Sequence, residues 1–222
     1  KRLQGARIVM DVVTVTGTEN LMMAAALADG VTVLENAARE PEVAALAGYL
    51  QEMGARIDGA GTQKIVIEGV AELQPATATV IPDRIETGTY LIAAGITGGR
   101  VTLAPCRPDH IEAIIQKLEQ TGMSITTDGD RLEARGAPAV RSIDAKTRPF
   151  PGFPTDMQAQ LMALMTLGDG VSLITEQIFE NRFMHALELE RMGADIQIDG
   201  RSALVRGVRK LSGAPVMATD LR

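Results

Sequence analysis

The sequence predicts an α+β fold built from a βαβαββ unit that recurs along the chain. Two kinds of segment repeat in one register, which indicates internal duplication. A glycine that precedes an apolar strand recurs in DGVTVLE, GGRVTLA and DGVSLIT, at Gly30, Gly99 and Gly170. A second glycine recurs in EMGARI, QTGMSI and RMGADI, at Gly54, Gly122 and Gly193. Both markers advance by 68 to 71 residues, so the chain contains three copies. LSGAPVMATD, at residues 211–220, begins a truncated fourth copy.

The first copy shows the order of elements in the unit. RIVMD is predicted to be a strand, residues 18–28 a helix, VTVLEN a strand and residues 41–53 a second helix, and ARID and KIVIEG form a closing pair of strands. The first helix of each copy (NLMMAAALA, TYLIAAGI, QLMALMTL) is apolar on nearly every side, which predicts burial by several neighbours. The second helix, as in residues 111–122, has one apolar stripe and should be half-exposed. The methionines are assigned to packing.

Composition restricts the class of protein. The 222 residues are 45% hydrophobic and 23% charged, which is sufficient for one large domain or two ordinary ones. The longest apolar run, LMMAAALA, is less than half of the roughly 20 residues that cross a bilayer, so we expect no membrane span. A net charge of −6 argues against general nucleic-acid binding. Cys106 is the single cysteine, so the chain cannot form an internal disulfide. Because the sequence also shows no signal peptide, we expect a cytosolic protein. The start at Lys1, without an initiator Met, suggests a piece of something longer.

An acidic residue precedes each strongly apolar helix: Asp11, Asp83, Asp156 and Asp220. Such residues can cap a helix, and helix N-termini that converge can bind phosphate. TVTGTEN fits a phosphate site, because Thr16 and Glu19 have capping-box spacing and Gly17 lets a ligand approach the backbone. Asp156, in PFPGFPTDMQAQLMALM, is either a helix cap or a proton acceptor at the mouth of a cleft. The residues alone leave both roles open.

Two corresponding strand-to-helix loops also contain charged residues. The first has Arg39 and Glu40, and the second, IFENRFMHALEL, has Glu180, Asn181, Arg182 and His185. Charged loop residues are more often solvated than functional, so both interpretations stay open. His185 is equally well explained as a packed helix residue, since no second His or Cys nearby gives metal-ligand spacing. We therefore expect no metal site.

Five segments carry a family resemblance: ENAAREPE, IPDRIETGTY, FPTDMQAQ, FENRFMH and LSGAPVMATDLR. They resemble signature segments of the UDP-N-acetylglucosamine enolpyruvyl transferases, which catalyse the first committed step of peptidoglycan synthesis. Enolpyruvylshikimate phosphate synthase shares the repeated unit but not ENAAREPE or FENRFMH. The resemblance implies an inside-out α/β barrel with sheets outside and helices buried, in two domains of three units with a cleft between them. Residues 1–81 would then be the last unit of one domain. Residues 82–222 would be two units of the other domain plus the start of its third.

The resemblance also implies a reaction and its site. The family transfers the enolpyruvyl group of phosphoenolpyruvate to the 3-hydroxyl of UDP-N-acetylglucosamine, through a tetrahedral intermediate that loses phosphate, without a cofactor. Asp156 would take the hydroxyl proton, a role typically worth ~10²–10⁴ in rate. The residues near the reacting carbons and phosphate would be Arg182, Asp220 and Arg222. The substrate contacts would be Val12, Val13, Thr14, Val15, Thr16, Glu40, Asp83, Arg84 and the backbone of Ile178. Val12 stands where some family members have a Lys.

Part of the family's site has no counterpart in these residues. A Lys-Asn pair, a mobile loop with an Arg and a reactive Cys, and a further Arg are all absent from the sequence. Cys106, in LAPCRPDH, matches none of these motifs and is interpreted as structural. We therefore expect the chain alone to lack transferase activity. The alternative is a non-catalytic module that binds a nucleotide sugar.

The first apolar helix also predicts self-association. In residues 1–81 it lacks two partner units, so Leu21, Met22, Met23 and Leu27 would all be exposed. Burying one Leu or Met is worth roughly 1.5–3 kcal/mol, so this exposure would cost a large share of a domain's stability. We expect the apolar face of this helix to be covered in one of two ways. Either residues 1–81 dock on the second domain in an arrangement foreign to the family, or two copies exchange units.

Overall fold

A computed structural model of the chain describes residues 2–218. The chain divides into two compact units, Lys1–Ile81 and Pro82–Arg222, each with its own hydrophobic core. Which domain of a longer family member each unit represents stays a prediction. Between residues 2 and 218, none of the helices has the length and apolar character that crossing a bilayer requires.

The first unit is one complete repeat. Its elements are β1 (Arg7–Val9), α1 (Val15–Ala26), β2 (Val31–Glu35), α2 (Pro41–Glu52), β3 (Arg56–Asp58) and β4 (Lys64–Glu68). The strands lie in the order β1-β2-β4-β3, with β1 parallel to β2 and the other two pairs antiparallel. The predicted βαβαββ order is confirmed.

Helix α1 begins earlier than predicted because Thr14 is its N-cap. The Oγ1 atom of Thr14 accepts a hydrogen bond from the Gly17 N–H at 3.2 Å. The capping box predicted for Thr16 and Glu19 is therefore wrong, since Thr16 already occupies the first helical turn. Helix α1 is also less enclosed than predicted. Met22 is fully buried, but Met23 is 43% exposed, because the unit covers α1 only with α2 and the sheet.

The second unit contains two repeats. Its elements are α3 (Arg84–Thr97), β5 (Arg100–Leu103), a 3₁₀ turn (Pro108–His110), α4 (Glu112–Gln120), β6 (Ser124–Asp128), β7 (Arg131–Arg135), β8 (Ala145–Lys146), a 3₁₀ turn (Thr155–Met157), α5 (Gln158–Met165), β9 (Val171–Thr175), α6 (Met184–Arg191), β10 (Asp195–Asp199) and β11 (Ser202–Arg206). One sheet has the order β5-β7-β6 and is antiparallel. The other has the order β10-β11-β9-β8, with β8 parallel to β9. The repeat that begins with α3 has no opening strand within residues 69–83, where Pro75 and Pro82 remove backbone donors.

Helices α3 and α5 pack closely in the core of the second unit. A Cβ atom at Gly88 of α3 would lie 2.9 Å from the Met157 Cε atom, and one at Gly95 would lie 3.3 Å from the Leu164 Cδ1 atom. The two glycines therefore allow the helices to approach. Leu161 and Met162 of α5 are fully buried, which confirms the burial predicted for this apolar helix.

A glycine at the end of the last strand closes each repeat. Gly69, Gly136 and Gly207 donate their N–H groups to Gly30, Gly99 and Gly170, at 2.9, 2.8 and 2.9 Å. Each also lies against the backbone at the end of the repeat's first helix, so closely that a Cβ atom would overlap a carbonyl oxygen. These glycines hold the closing strand of each unit against its first helix.

Candidate functional site

Asp156 and Arg182 form the centre of the candidate site, in the second unit. The Arg182 Nη2 atom donates to the Asp156 Oδ1 atom at 2.6 Å. The Arg182 side chain is 6% exposed and the Asp156 side chain 37% exposed. A buried guanidinium thus holds a carboxylate that still reaches solvent, and two residues predicted for the site are in direct contact.

Asp156 does not cap its helix. It lies inside the 3₁₀ turn that leads into α5, and the N-cap positions of that turn and of α5 are Pro154 and Met157. Neither position makes a side-chain cap hydrogen bond. The cap predicted as one role of Asp156 is therefore wrong, because the turn before α5 moves the helix start beyond it. Its carboxylate binds Arg182 instead.

Arg182 is held by two further groups. Its Nη1 atom donates to the Thr155 Oγ1 atom at 2.6 Å. Its guanidinium carbon lies 4.9 Å from the centroid of the Phe179 ring, a cation–π geometry. The Nε atom is buried and has no hydrogen-bond partner among residues 2–218. The orientation of the guanidinium is therefore fixed from both the Asp156 and the Thr155 sides.

Glu176, which we did not predict, is hydrogen-bonded to Thr155 and so belongs to the same group of contacts. Its side chain is almost fully buried. The Oε1 atom accepts from Thr147 Oγ1 at 2.8 Å, from the Ile178 N–H at 2.8 Å and from the Phe179 N–H at 3.2 Å. The Oε2 atom accepts from Thr155 Oγ1 at 2.8 Å. In the sequence, the only signal for this role was an acid directly after the strand VSLIT.

The loop between β9 and α6 contains the remaining predicted residues of this repeat. The Ile178 N–H is bound to Glu176, so a backbone contact from Ile178 to a ligand has to come from its carbonyl. On the outer side of the loop, Arg201 donates to the Gln177 carbonyl at 3.2 Å and to the Glu180 carboxylate at 2.8 Å. Both sides of the loop are thus anchored to the rest of the unit.

His185 belongs to helix α6 rather than to the loop. Burial, followed by the positive charge of Arg182, lowers the pKa of His185 to about 4 from its ordinary value of 6.5. Both ring nitrogens are buried without a hydrogen-bond partner in the described part of the chain. The ring is therefore neutral at pH 7 and packed. Across residues 2–218, no His, Cys, Asp and Glu side chains form a group that could hold a metal ion.

Asp83 and Arg84 occupy the start of α3. Asp83 is the N-cap, and its Oδ1 atom accepts from the Ile85 and Glu86 N–H groups at 2.7 and 3.0 Å. The Arg84 guanidinium carbon lies 6.0 Å from the centroid of the Phe150 ring. Asp83 thus has a clear structural role, and its predicted substrate contact stays a prediction.

The other predicted substrate contacts, Val12 to Thr16 and Glu40, lie in the first unit. Thr14 caps α1, and Val12 is 72% exposed. The Glu40 carboxylate is buried and accepts from the Arg39 N–H at 3.0 Å. Burial, followed by the charges of Glu42 and Glu40, raises the pKa of Glu19. The Glu19, Glu40 and Glu42 carboxyl groups are therefore close enough to interact.

Two predicted catalytic residues, Asp220 and Arg222, lie outside the described residues 2–218. Cys106 is buried and its Sγ atom lies 3.1 Å from the Asp130 carbonyl oxygen. Burial, together with the charge of Asp130, raises the pKa of the Cys106 thiol. A thiol whose pKa is raised in this way is a poor nucleophile, which supports the structural interpretation.

A groove of about 520 Å³ lies between α4 and the β8–β9 edge of the second unit, lined by residues that include Lys117, Lys146 and Leu173. Asp156 and Arg182 are not among its lining residues. Cavity size therefore does not mark the candidate site. The convergence of charged and hydroxyl groups around Arg182 does.

The chain is similar to known proteins over its whole length. The family profile described as EPSP synthase (3-phosphoshikimate 1-carboxyvinyltransferase) matches residues 1–222. A UDP-N-acetylglucosamine 1-carboxyvinyltransferase of Geotalea daltonii is 60% identical over 100% of this chain and 53% of its own length. Another, of Thermodesulfovibrio yellowstonii, is 58% identical over the same shares. The chain thus spans about half the length of the curated relatives it matches. The solved enolpyruvyl transferase NikO of Streptomyces tendae superposes with a TM-score of 0.84 at 25% identity, covering 93% of this chain and 52% of that one.

Proposed function

The chain belongs to the EPSP synthase family, and from this premise we propose that the protein transfers the enolpyruvyl group of phosphoenolpyruvate to the 3-hydroxyl of UDP-N-acetylglucosamine and releases phosphate. The observation that carries the proposal is the contact between the buried Arg182 and the partly exposed Asp156. The choice of acceptor is supported by the names of the relatives that are 58–60% identical to the chain.

Asp156 is the proposed proton acceptor. A neutral alcohol is a poor nucleophile, and a positioned base typically contributes ~10²–10⁴ in rate. An ionised carboxylate has two acceptor oxygens. Arg182 binds Oδ1, which leaves Oδ2 to accept the proton of the sugar hydroxyl. The partial exposure of Asp156 allows a substrate to reach it.

The proposed reaction is an addition followed by an elimination. The sugar oxygen bonds to C2 of phosphoenolpyruvate while the methylene carbon gains a proton, which gives the tetrahedral intermediate. The methyl group then loses a proton, the C2–O bond to phosphate breaks, and phosphate leaves with the electron pair. Arg182 contributes positive charge beside this centre and keeps three of its five N–H donors after binding Asp156 and Thr155. Asp220 and Arg222 are proposed to act at the same centre.

The substrate contacts follow the same proposal. The carbonyl of Ile178, the residues Val12, Val13, Thr14, Val15, Thr16, Glu40, Asp83 and Arg84, and Asp156 itself are proposed to contact the nucleotide sugar and phosphoenolpyruvate. No cofactor is needed. Under this proposal the protein acts in the cytoplasm, at the first committed step of peptidoglycan synthesis, and so contributes to cell shape and division.

A chimeric enzyme tests the proposal. The 222 residues replace the matching segment of the Geotalea daltonii relative, which supplies the remaining length. Phosphate release is measured with phosphoenolpyruvate and either UDP-N-acetylglucosamine or 3-phosphoshikimate. We expect release with the nucleotide sugar alone. Release with 3-phosphoshikimate instead would contradict the proposed acceptor, and a chimera that folds but releases no phosphate would contradict the proposed activity.

An assay of the isolated chain distinguishes an enzyme from a non-catalytic binding module. We propose that the isolated 222 residues do not turn over, because they lack the Lys-Asn pair, the Cys loop and the last Arg of the family pattern. The same phosphate assay applies. An active chimera together with an inactive chain supports the transferase. Binding of UDP-N-acetylglucosamine by both, measured by calorimetry, with turnover by neither, supports the binding module.

A further inference from the structure

We propose that Glu176 is a positioning residue for the Asp156 site, one whose two carboxylate oxygens fix the Arg182 guanidinium by two separate routes. Glu176 is 1% exposed, and within residues 2–218 its carboxylate accepts four hydrogen bonds, all from the second unit. The effect on catalysis rests on the proposed function. The effect on the geometry does not.

The first route runs through Thr155. The Thr155 hydroxyl has one proton, which it donates to the Glu176 Oε2 atom at 2.8 Å. Its oxygen must therefore act as an acceptor toward the Arg182 Nη1 atom, at 2.6 Å. With Nη1 bound there, the rigid guanidinium turns Nη2 toward Asp156. Glu176 thus sets the direction of a chain of three hydrogen bonds that ends on the proposed base.

The second route runs through the turn that follows β9. The Oε1 atom accepts from the N–H groups of Ile178 and Phe179, so it fixes the backbone at both positions. Thr147 reinforces the turn, because its hydroxyl donates to Oε1 and accepts from the Gln177 N–H at 2.8 Å. This turn places the Phe179 ring over the Arg182 guanidinium. Both oxygens of one buried carboxylate therefore act on the same cation.

The substitution Glu176→Gln separates the two routes. Three donors face Oε1, so the single oxygen of the substituted amide is held on that side and the turn is retained. The NH₂ group of the amide then faces Thr155, whose oxygen would have to accept from both this NH₂ group and Arg182 while its own proton loses its acceptor. Glu176→Gln should therefore loosen the Thr155 route alone. Thr155→Val removes the same route, because valine has no hydroxyl to join Glu176 to Arg182.

The kinetic test uses the chimera that carries these 222 residues. We expect Glu176→Gln and Thr155→Val each to lower kcat by about 10²-fold, because a small misplacement of catalytic groups has costs of this size. The KM for UDP-N-acetylglucosamine should stay within about 3-fold, since the Ile178 turn persists. The double variant should be no slower than either single variant, because both act on one route. Glu133→Gln, which changes a partly exposed residue of β7 paired with Arg100, is the matched control.

A spectroscopic test needs no activity. In the 222-residue chain, NMR measures the exchange of the Arg182 guanidinium protons and of the Ile178 and Phe179 amide protons. We expect Glu176→Gln to accelerate exchange at Arg182 and to leave both amides protected. Unchanged exchange at Arg182, or strictly additive kinetic losses in the double variant, would overturn the inference. If Arg182 exchange changes as expected but the parent chimera is inactive, only the proposed function fails.

Discussion

Asp156 is partly exposed and Arg182 is buried, yet their side chains meet at 2.6 Å. A pair of this kind has a structural as well as a chemical role, because removing the carboxylate would leave a buried cation unpaired. Asparagine keeps an oxygen that can accept from Arg182 but cannot take a proton. Substitution by Asn therefore separates the two roles of Asp156, whereas substitution by Ala removes both.

We predict that Asp156→Asn in the chimera lowers turnover by ~10²–10⁴, the range typical of a positioned base. The KM for the nucleotide sugar should rise only modestly, since Asn still offers hydrogen bonds to a hydroxyl. Steady-state phosphate release measures both quantities. Urea unfolding measures the structural share, and the loss of stability should be smaller for Asp156→Asn than for Asp156→Ala, because only Asn keeps a hydrogen bond to Arg182. Turnover within a few-fold of the parent would mean that Asp156 is structural.

We predict that His185 makes the second unit sensitive to mild acid. Its pKa is about 4 in the fold, against an ordinary 6.5 in the unfolded chain. Between these values the unfolded chain binds more protons, so the contribution of His185 to stability is complete above pH 6.5 and falls as the pH drops toward 4. From pH 7.5 to pH 5 the free energy of unfolding should fall by about 2 kcal/mol on this account. Urea unfolding at both pH values measures it.

His185→Phe is the matched variant for this prediction. The ring nitrogens have no partners among residues 2–218, so Phe loses no hydrogen bond of that region and removes only the titration. The difference in stability between the two pH values should shrink by the same amount. The NMR titration of His185 gives an independent check. A midpoint near 6.5 would show that burial does not control this ring.

Local patterns in the sequence were sufficient to predict most of the fold. The repeat, its two helices and its closing strands follow from apolar periodicity and glycine position, which are properties of neighbouring residues. The start of α1 was misplaced because Thr14, Thr16 and Thr18 are chemically equal candidates for a cap. Only the backbone path shows that Thr14 accepts from the Gly17 N–H.

The site was predictable only in part. Asp156 and Arg182 came from motif resemblance, but their contact joins residues 26 positions apart, which no local pattern encodes. Glu176 was missed because an acid after a strand normally lies in solvent. Its burial depends on Thr147 and Thr155, which are 29 and 21 positions away in the sequence. Long-range hydrogen bonds therefore decide what a charged loop residue does.

We predict that the closing glycines are sensitive to a single added methyl group. At Gly69 a Cβ atom would overlap the backbone carbonyl of Ala28, so Gly69→Ala should destabilise the first unit by about 1–3 kcal/mol or more. Gly48→Ala, in helix α2 of the same unit, is the control, because nothing lies within 4 Å of its Cβ position. That variant should stabilise the unit by about 0.5–1 kcal/mol. Urea unfolding compares them, and equal stabilities would refute the packing argument.

We predict that the chain self-associates through the exposed face of α1. Met22 is fully buried, which removes part of the cost predicted from sequence, but Met23 and Leu27 are 43% and 42% exposed. Met23 lies near the end of α1 and Leu27 is its C-cap, so both exposed side chains lie at the C-terminal end of the helix. Burying a fully exposed Leu or Met gains roughly 1.5–3 kcal/mol, and these two side chains, already more than half buried, would each gain somewhat under half of that, so pairing with a second apolar surface is favourable. Light scattering over a range of concentrations should show a mass that rises with concentration.

The double variant Met23→Lys, Leu27→Lys should reduce this rise in mass, because it places two charges on the associating face while keeping residues that favour a helix. Glu52→Lys, near the C-terminal end of α2, is the control for added positive charge alone and should associate as the parent does. A parent chain that stays monomeric at every concentration would show that the partial exposure of two apolar side chains is tolerated without a partner surface. Equal association of the parent and the double variant would instead locate the contact elsewhere on the chain.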